Sequence, residues 1–191
     1  MRTYEVSACI IRACHGRDWT EADDYLYAAG RAVTWVLMAA DAVQTAQELK
    51  VAEYHAYTGI SAARSAVDAT ANWHRVRFLP SEKPGTSIDL AKEGFREKLK
   101  SLVPPSVFAC LETLGHLARD ELDVWRQRAQ HREGVQPILR EGGAWYVALL
   151  GYASPHTEQW HLASLLKGWA DSIERQLCAI LDDPKAVTVQ L

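Results

Sequence analysis

The chain has 191 residues, of which 48% are hydrophobic and 24% charged, with a formal net charge of -3. That balance excludes a disordered or collagen-like chain and matches one ordinary domain spanning 1–191. It also excludes a molecule that gathers nucleic acid through its overall field, so any RNA contact has to rest on a local basic patch.

Two further exclusions follow. No apolar run reaches the roughly 18 residues a bilayer crossing needs. The start, Met1-Arg2-Thr3-Tyr4-Glu5, lacks the basic and apolar stretches of a secretory signal. The expectation is a chain with no membrane contact. Cys9, Cys14, Cys110 and Cys178 are too few and too scattered for a disulfide framework, which points to a reducing cytoplasm.

The first 17 residues are apolar without a readable period. From Thr20 to about Lys50, Leu26, Ala29, Val33, Val36, Ala40 and Val43 repeat at helical spacing. Thr20 and Asp23 stand at the interval of a capping box, with Asp in place of Glu. A second helix is expected from about Glu53 to Phe78, with Ile60, Ala63, Val67 and Thr70 on one face. Its small residues allow a neighbour to come close. Pro80 and Pro84-Gly85 end it.

A shorter helix is predicted from Ser87 to Leu102. After Pro104-Pro105, Ser106 is the expected cap of a long helix carrying Val107, Leu111, Leu114, Ala118, Leu122, Trp125 and Ala129, with Gly134 as its stop. Gly142-Gly143 open an apolar stretch, 144–153, that fits a strand or a short buried helix equally well. The last helix is expected to open with Ser154 as cap and Pro155 in its first turn. Its stripe is Leu162, Leu166, Trp169, Ile173, Leu177 and Ile180, and Pro184 closes it. The tail, 185–191, reads as frayed or strand-like. Such stripes hide best against one another in an all-α, antiparallel bundle of four to five helices.

One segment carries the ingredients of RNA chemistry. Trp125-Arg126-Gln127-Arg128-Ala129-Gln130-His131-Arg132 places a permanent cation and a titratable imidazole at one helix end. A guanidinium holds a phosphate, and a histidine moves protons near neutral pH. Arg128 and Arg132 make the end locally basic. The plainer reading is a solvated terminus whose cations face the negative end of the helix dipole. On the second helix Arg64, Asp68 and Asn72 recur every four residues and share a face. That face is either an exposed flank or a surface turned to the neighbouring helix, where Asp68 would hold Arg126 or orient His131.

A helical bundle with Arg126, four residues and then His131 near the end of its penultimate long helix resembles the HEPN superfamily. The stretch from Ala63 to Trp73 is similar to the second helix of some HEPN-like proteins. The likeness covers 20–182 in helix order and these two segments in residue detail. It implies a homodimer with the two motifs meeting at the interface, and metal-independent endoribonuclease activity without a cofactor. Such proteins often act in defence or toxin–antitoxin systems, so an antitoxin or other protein partner is implied. Arg126 and His131 match the family's active pair. Gln127 stands where active members often carry Asn, Asp or His.

Metal chemistry has thinner support. Glu158 and His161 have the Glu-x-x-His spacing of di-iron bundles, but no second copy exists. Cys9, Cys14 and His15 lack an evident fourth zinc ligand. Cys110 and Cys178 fit plain core positions. Of the seven tryptophans, Trp35 and Trp73 lie off the clearest stripes, which points to a second buried surface and hence a dimer. The rival reading to an RNA-cutting enzyme is a non-catalytic bundle that binds or scaffolds a protein.

Overall fold

Helix α1 spans Glu5–Cys14, α2 Glu21–Thr45 and α3 Leu49–Phe78 in a computed structural model that describes residues 5–16, 18–85, 87–130, 138–149 and 158–187. The capping residues act as expected. Asp23 is fully buried, and its carboxylate accepts the Thr20 backbone N–H at 2.8 Å and the Thr20 hydroxyl at 2.7 Å. Ala46 turns the chain out of the helix with an extended ψ of 132°. The linker that follows is so short that α3 starts at Leu49, ahead of the expected Glu53, and returns antiparallel to α2. The ion pair between Arg75 and Glu21 joins the far ends of the two helices.

Alanines set the spacing of this pair. Ala29, Ala39, Ala40, Ala52, Ala56, Ala63 and Ala66 are all buried between helices. At Gly59 a β-carbon would lie 2.9 Å from a Leu166 methyl and 3.1 Å from Ala39 Cβ, so glycine is what lets three helices meet there. The third is α7, Leu162–Asp182, whose stripe from Leu162 to Ile180 is buried as the periodicity predicts. By length and composition α2 is apolar enough to cross a bilayer, but its stripe from Leu26 to Val43 is buried in this core.

Three expected helices change shape. The 87–102 helix shrinks to α4, Glu93–Lys100. The reason is Asp89, whose carboxylate accepts the Ala91 N–H at 2.9 Å and so holds a turn in place of a helix. The long helix after Pro104 starts at Pro105. Ser106 is not its cap but donates to Asp183 at 2.7 Å, tying it to the end of α7. This rod divides into α5 (Pro105–Leu117), a π-helical turn (Ala118–Leu122) and α6 (Asp123–Gln130). Glu121 in the wide turn accepts the Trp169 indole N–H from α7 at 2.6 Å. The predicted stop, Gly134, lies outside the described residues.

The last helix begins at Leu162, later than expected, with His161 as its N-cap accepting the Ser164 N–H at 3.1 Å. Ser154 and Pro155 lie outside the described residues. Of the ambiguous apolar stretch, the described part, 144–149, is a strand. Strands β1 (Ile138–Glu141), β2 (Ala144–Leu149) and β3 (Glu158–His161) form an antiparallel sheet in the order β1-β2-β3. Gly142 and Gly143, at φ of 56° and 83°, make the tight turn between the first two. The Trp145 indole N–H reaches Ala46 O at 2.9 Å, and Arg140 reaches the Gln47 side chain at 2.7 Å, so the hairpin clasps the α2–α3 turn. The N-terminal residues form α1, which lays Cys9 and Ile10 on the bundle. A short α8, Pro184–Val187, follows α7, and 188–191 lie outside the described residues.

The molecule is thus mostly helical, a bundle with a small sheet at one end. Trp73 is fully buried within the chain's own core, so its off-stripe position does not mark a second surface. Trp35 does stay open, with the Arg31 guanidinium 4.9 Å from its ring centre.

Candidate functional site

One face of α3 carries Arg64, Asp68 and Asn72 at intervals of four, and it turns toward α6 and the 85–92 segment. The three elements enclose an open cleft of about 770 Å³, with Arg126 and Gln127 entering from α6 and Ile88 and Lys92 from the loop.

At its base lies Arg64, whose side chain is only 6% exposed. Three carboxylates meet its guanidinium. Nε donates to Asp123 at 2.7 Å, Nη2 donates to Asp89 at 2.8 Å, and Nη1 donates to Asp68. Burial opposes the charge on Arg64, but Asp68, Asp123 and Asp89 outweigh it and hold it more firmly protonated than an ordinary arginine. Asp68 responds in the opposite sense. Burial raises its carboxyl above the usual range, and Asp89 and Asp123 add to that, although Arg64 and Arg126 pull the other way. Asn72 donates to the Asp68 carbonyl at 3.0 Å and so steadies the helix rather than the carboxylate.

The sequence-derived candidates therefore separate. Arg64, Asp68, Asn72, Arg126 and Gln127 all line one cleft. Asp68 hydrogen-bonds to Arg64, and Arg126 acts on it through space. Arg126 is half-buried, and among the described residues its guanidinium has no hydrogen-bond partner. His131 and Arg132 lie outside the described residues, as does the side chain of Arg128. The polar face of α3 is not an exposed flank.

Two members of the cluster escaped sequence reasoning. Asp123 stands three residues before Arg126, an interval that places both on one side of a helix and gives a usable signal. Asp89 sits in a loop with no period, and only the folded chain brings it to Arg64.

Glu158 and His161 belong to β3, a strand, so the Glu-x-x-His spacing does not have the helical geometry of a di-iron bundle. The Cys9 sulfur faces Cys178 and the Cys14 sulfur faces Asp23, so Cys9, Cys14 and His15 do not converge. Among the described residues no group of three or more His, Cys, Asp or Glu side chains is arranged to hold a metal ion. Cys110 and Cys178 are half-buried and pack against the core.

No family model matches the chain, and neither does any curated protein or solved structure.

Proposed function

We propose that this cleft is the RNA site of a HEPN-like, metal-independent endoribonuclease of the cytoplasm. One observation carries the reading: Arg126 and the α3 pair Arg64–Asp68 line the same open cleft, on the helix that runs toward His131. Because three aspartates already engage Arg64, Arg126 is the cation left to bind the scissile phosphate. His131 transfers the proton. Arg64 and Asp68 are positioning residues, Arg64 fixing α6 against α3 through Asp123, while Asn72 steadies α3 beside them and Gln127 lines the entrance. Arg128 and Arg132 extend the RNA contact beyond the cleft. A homodimer brings two such sites together, and an antitoxin is the partner that would restrain them.

The charge balance limits how RNA is held. Asp68, Asp89 and Asp123 offset Arg64, Lys92 and Arg126 within the cleft, so affinity from this pocket is modest. Each phosphate contact on a single strand contributes a salt slope of about -0.7, and a shallow dependence near that value is expected.

The test is cleavage of labelled RNA in EDTA by the parent, Arg126→Ala and His131→Ala proteins. Loss of the phosphate donor should slow cleavage about 10²–10³-fold, and loss of the proton carrier about 10²–10⁴-fold. No cleavage by the parent, or equal cleavage by all three, removes the enzymatic reading.

A second reading has its own observation. Trp19, Tyr27, Trp35 and Met38 are exposed along the α2 side of the bundle, and Arg31 stacks near both Tyr27 and Trp35. An inactive parent protein that binds a partner through this face would be an interaction module, and Trp35→Ala would weaken that binding.

A further inference from the structure

Two free thiols from distant parts of the sequence meet on the bundle. Cys9 on α1 and Cys178 on α7 stand 169 positions apart in sequence, and their sulfurs approach to 2.8 Å. Cys9 is buried and Cys178 half-buried. The Arg12 guanidinium donates to the Cys9 sulfur at 3.1 Å and lies 3.9 Å from Asp182. The other two thiols are elsewhere: Cys14 faces Asp23, and Cys110 lies on α5.

What holds α1 makes this pair matter. Among the described side chains of α1, Cys9 and Ile10 are its buried contacts, and Ile11 beside them is 66% exposed. Ala13 and Cys14 pack only partly against the core, and a covalent link from Cys9 would fix this short helix to α7. Four scattered cysteines make no disulfide framework. One pair is nevertheless placed for a single bond.

We propose that Cys9 and Cys178 form a reversible oxidative modification site, a dithiol that closes to an intramolecular disulfide and locks α1 onto α7. The oxidant is a small peroxide. Two S–H bonds break and one S–S bond forms. Two electrons and both thiol protons pass to the peroxide, whose O–O bond breaks to give two waters. A reduced thiol of the glutathione class reverses the step by exchange. Burial chiefly, with Cys9, Glu174 and Asp182 adding to it, holds the Cys178 thiol protonated, so the reduced pair persists until an oxidant arrives. This inference is independent of the ribonuclease reading.

The experiment uses the full chain, reduced and then exposed to dilute hydrogen peroxide, with unfolding and thiol titration under non-reducing conditions. The free-thiol count should fall by two, without a dimer on a non-reducing gel. Peptide mapping should link the segments carrying Cys9 and Cys178. Cys9→Ser and Cys178→Ser should each abolish that link, while Cys14→Ser and Cys110→Ser should leave it. The oxidised protein should melt at a higher temperature and return to its starting value with dithiothreitol. A linked peptide containing Cys14 or Cys110, or oxidation of single thiols to acids with no internal bond, would overturn the proposal. A correctly folded Cys178→Ser protein that still loses two thiols would do the same.

Discussion

Arg64 and His74 lie on the same helix, both buried, and the fold treats their charges in opposite ways. Arg64 is given three carboxylates and stays a cation. His74 is given none. Its Nδ1 lies 2.9 Å from Thr70 O, its ring stacks on Phe78, and its other nitrogen has no partner among the described residues. Burial pushes its pKa down to about 4, and nearby Arg77 adds to this against the Thr70 hydrogen bond. The contrast follows from chemistry. A guanidinium cannot release its proton at any useful pH, so it must be compensated, whereas an imidazole releases its proton and needs no counter-ion. Ionic compensation at Arg64 also draws a loop and a second helix to α3, which is how a cleft arises on that face of the helix while His74 sits in a closed core.

The largest effect expected from this contrast is at Arg64. Arg64→Met leaves three acids facing an apolar chain and should cost about 3–5 kcal/mol of stability at neutral pH, measured by urea unfolding. Part of that loss should return when Asp89→Asn and Asp123→Asn are added. A variant as stable as the parent would show that the cluster is not buried as described.

Next comes acid sensitivity. The unfolded chain protonates His74 at its ordinary pKa of 6.5, and the folded chain only near 4. Between those values the unfolded state binds more protons, so stability falls as pH falls, by about 3 kcal/mol in all. It is fully present above the upper value and levels off below the lower one. His74→Leu should flatten this part of the pH–stability curve, and an unchanged slope would assign acid sensitivity elsewhere.

Smaller effects should rank the aspartates. Asp89→Asn, which weakens both the Arg64 pair and the loop turn, should cost about 1–3 kcal/mol. Asp68→Asn should cost under about 1 kcal/mol, because this carboxylate is half-exposed and its charge is already disfavoured where it stands. The reverse ranking would show Asp68 to be the main counter-ion.

Periodicity was a good guide wherever one element's own residues decide the outcome. The stripes of α2, α3 and α7, the Thr20–Asp23 cap and the Gly142-Gly143 break were all legible, because each is a local interval or a residue type with one conformational use. The site was legible on its helical side, where Arg64, Asp68 and Asn72 repeat by four and Arg126 and Gln127 follow Asp123. The rest depended on long-range choices. Asp89 holds a turn in place of a helix because its carboxylate accepts from both Arg64 and the Ala91 N–H. The 158–161 stretch pairs as a strand because β2 offers an edge. Neither arrangement leaves a period in the sequence. Nor did two thiols at opposite ends of the chain announce that they would touch.

The π-helical turn has a consequence for how this protein tolerates change. Five residues from Ala118 to Leu122 carry one more than a regular turn requires. Deleting one of them, Asp120 for instance, would let the rod close into plain α-helix with little disturbance to its own hydrogen bonds. It would also swing everything beyond by roughly 100° about the axis. Asp123 would leave Arg64, and Arg126 would leave the cleft. Trp125 would turn away from Trp169 at the same time, so the one extra residue keeps both the site and the packing of this rod in phase.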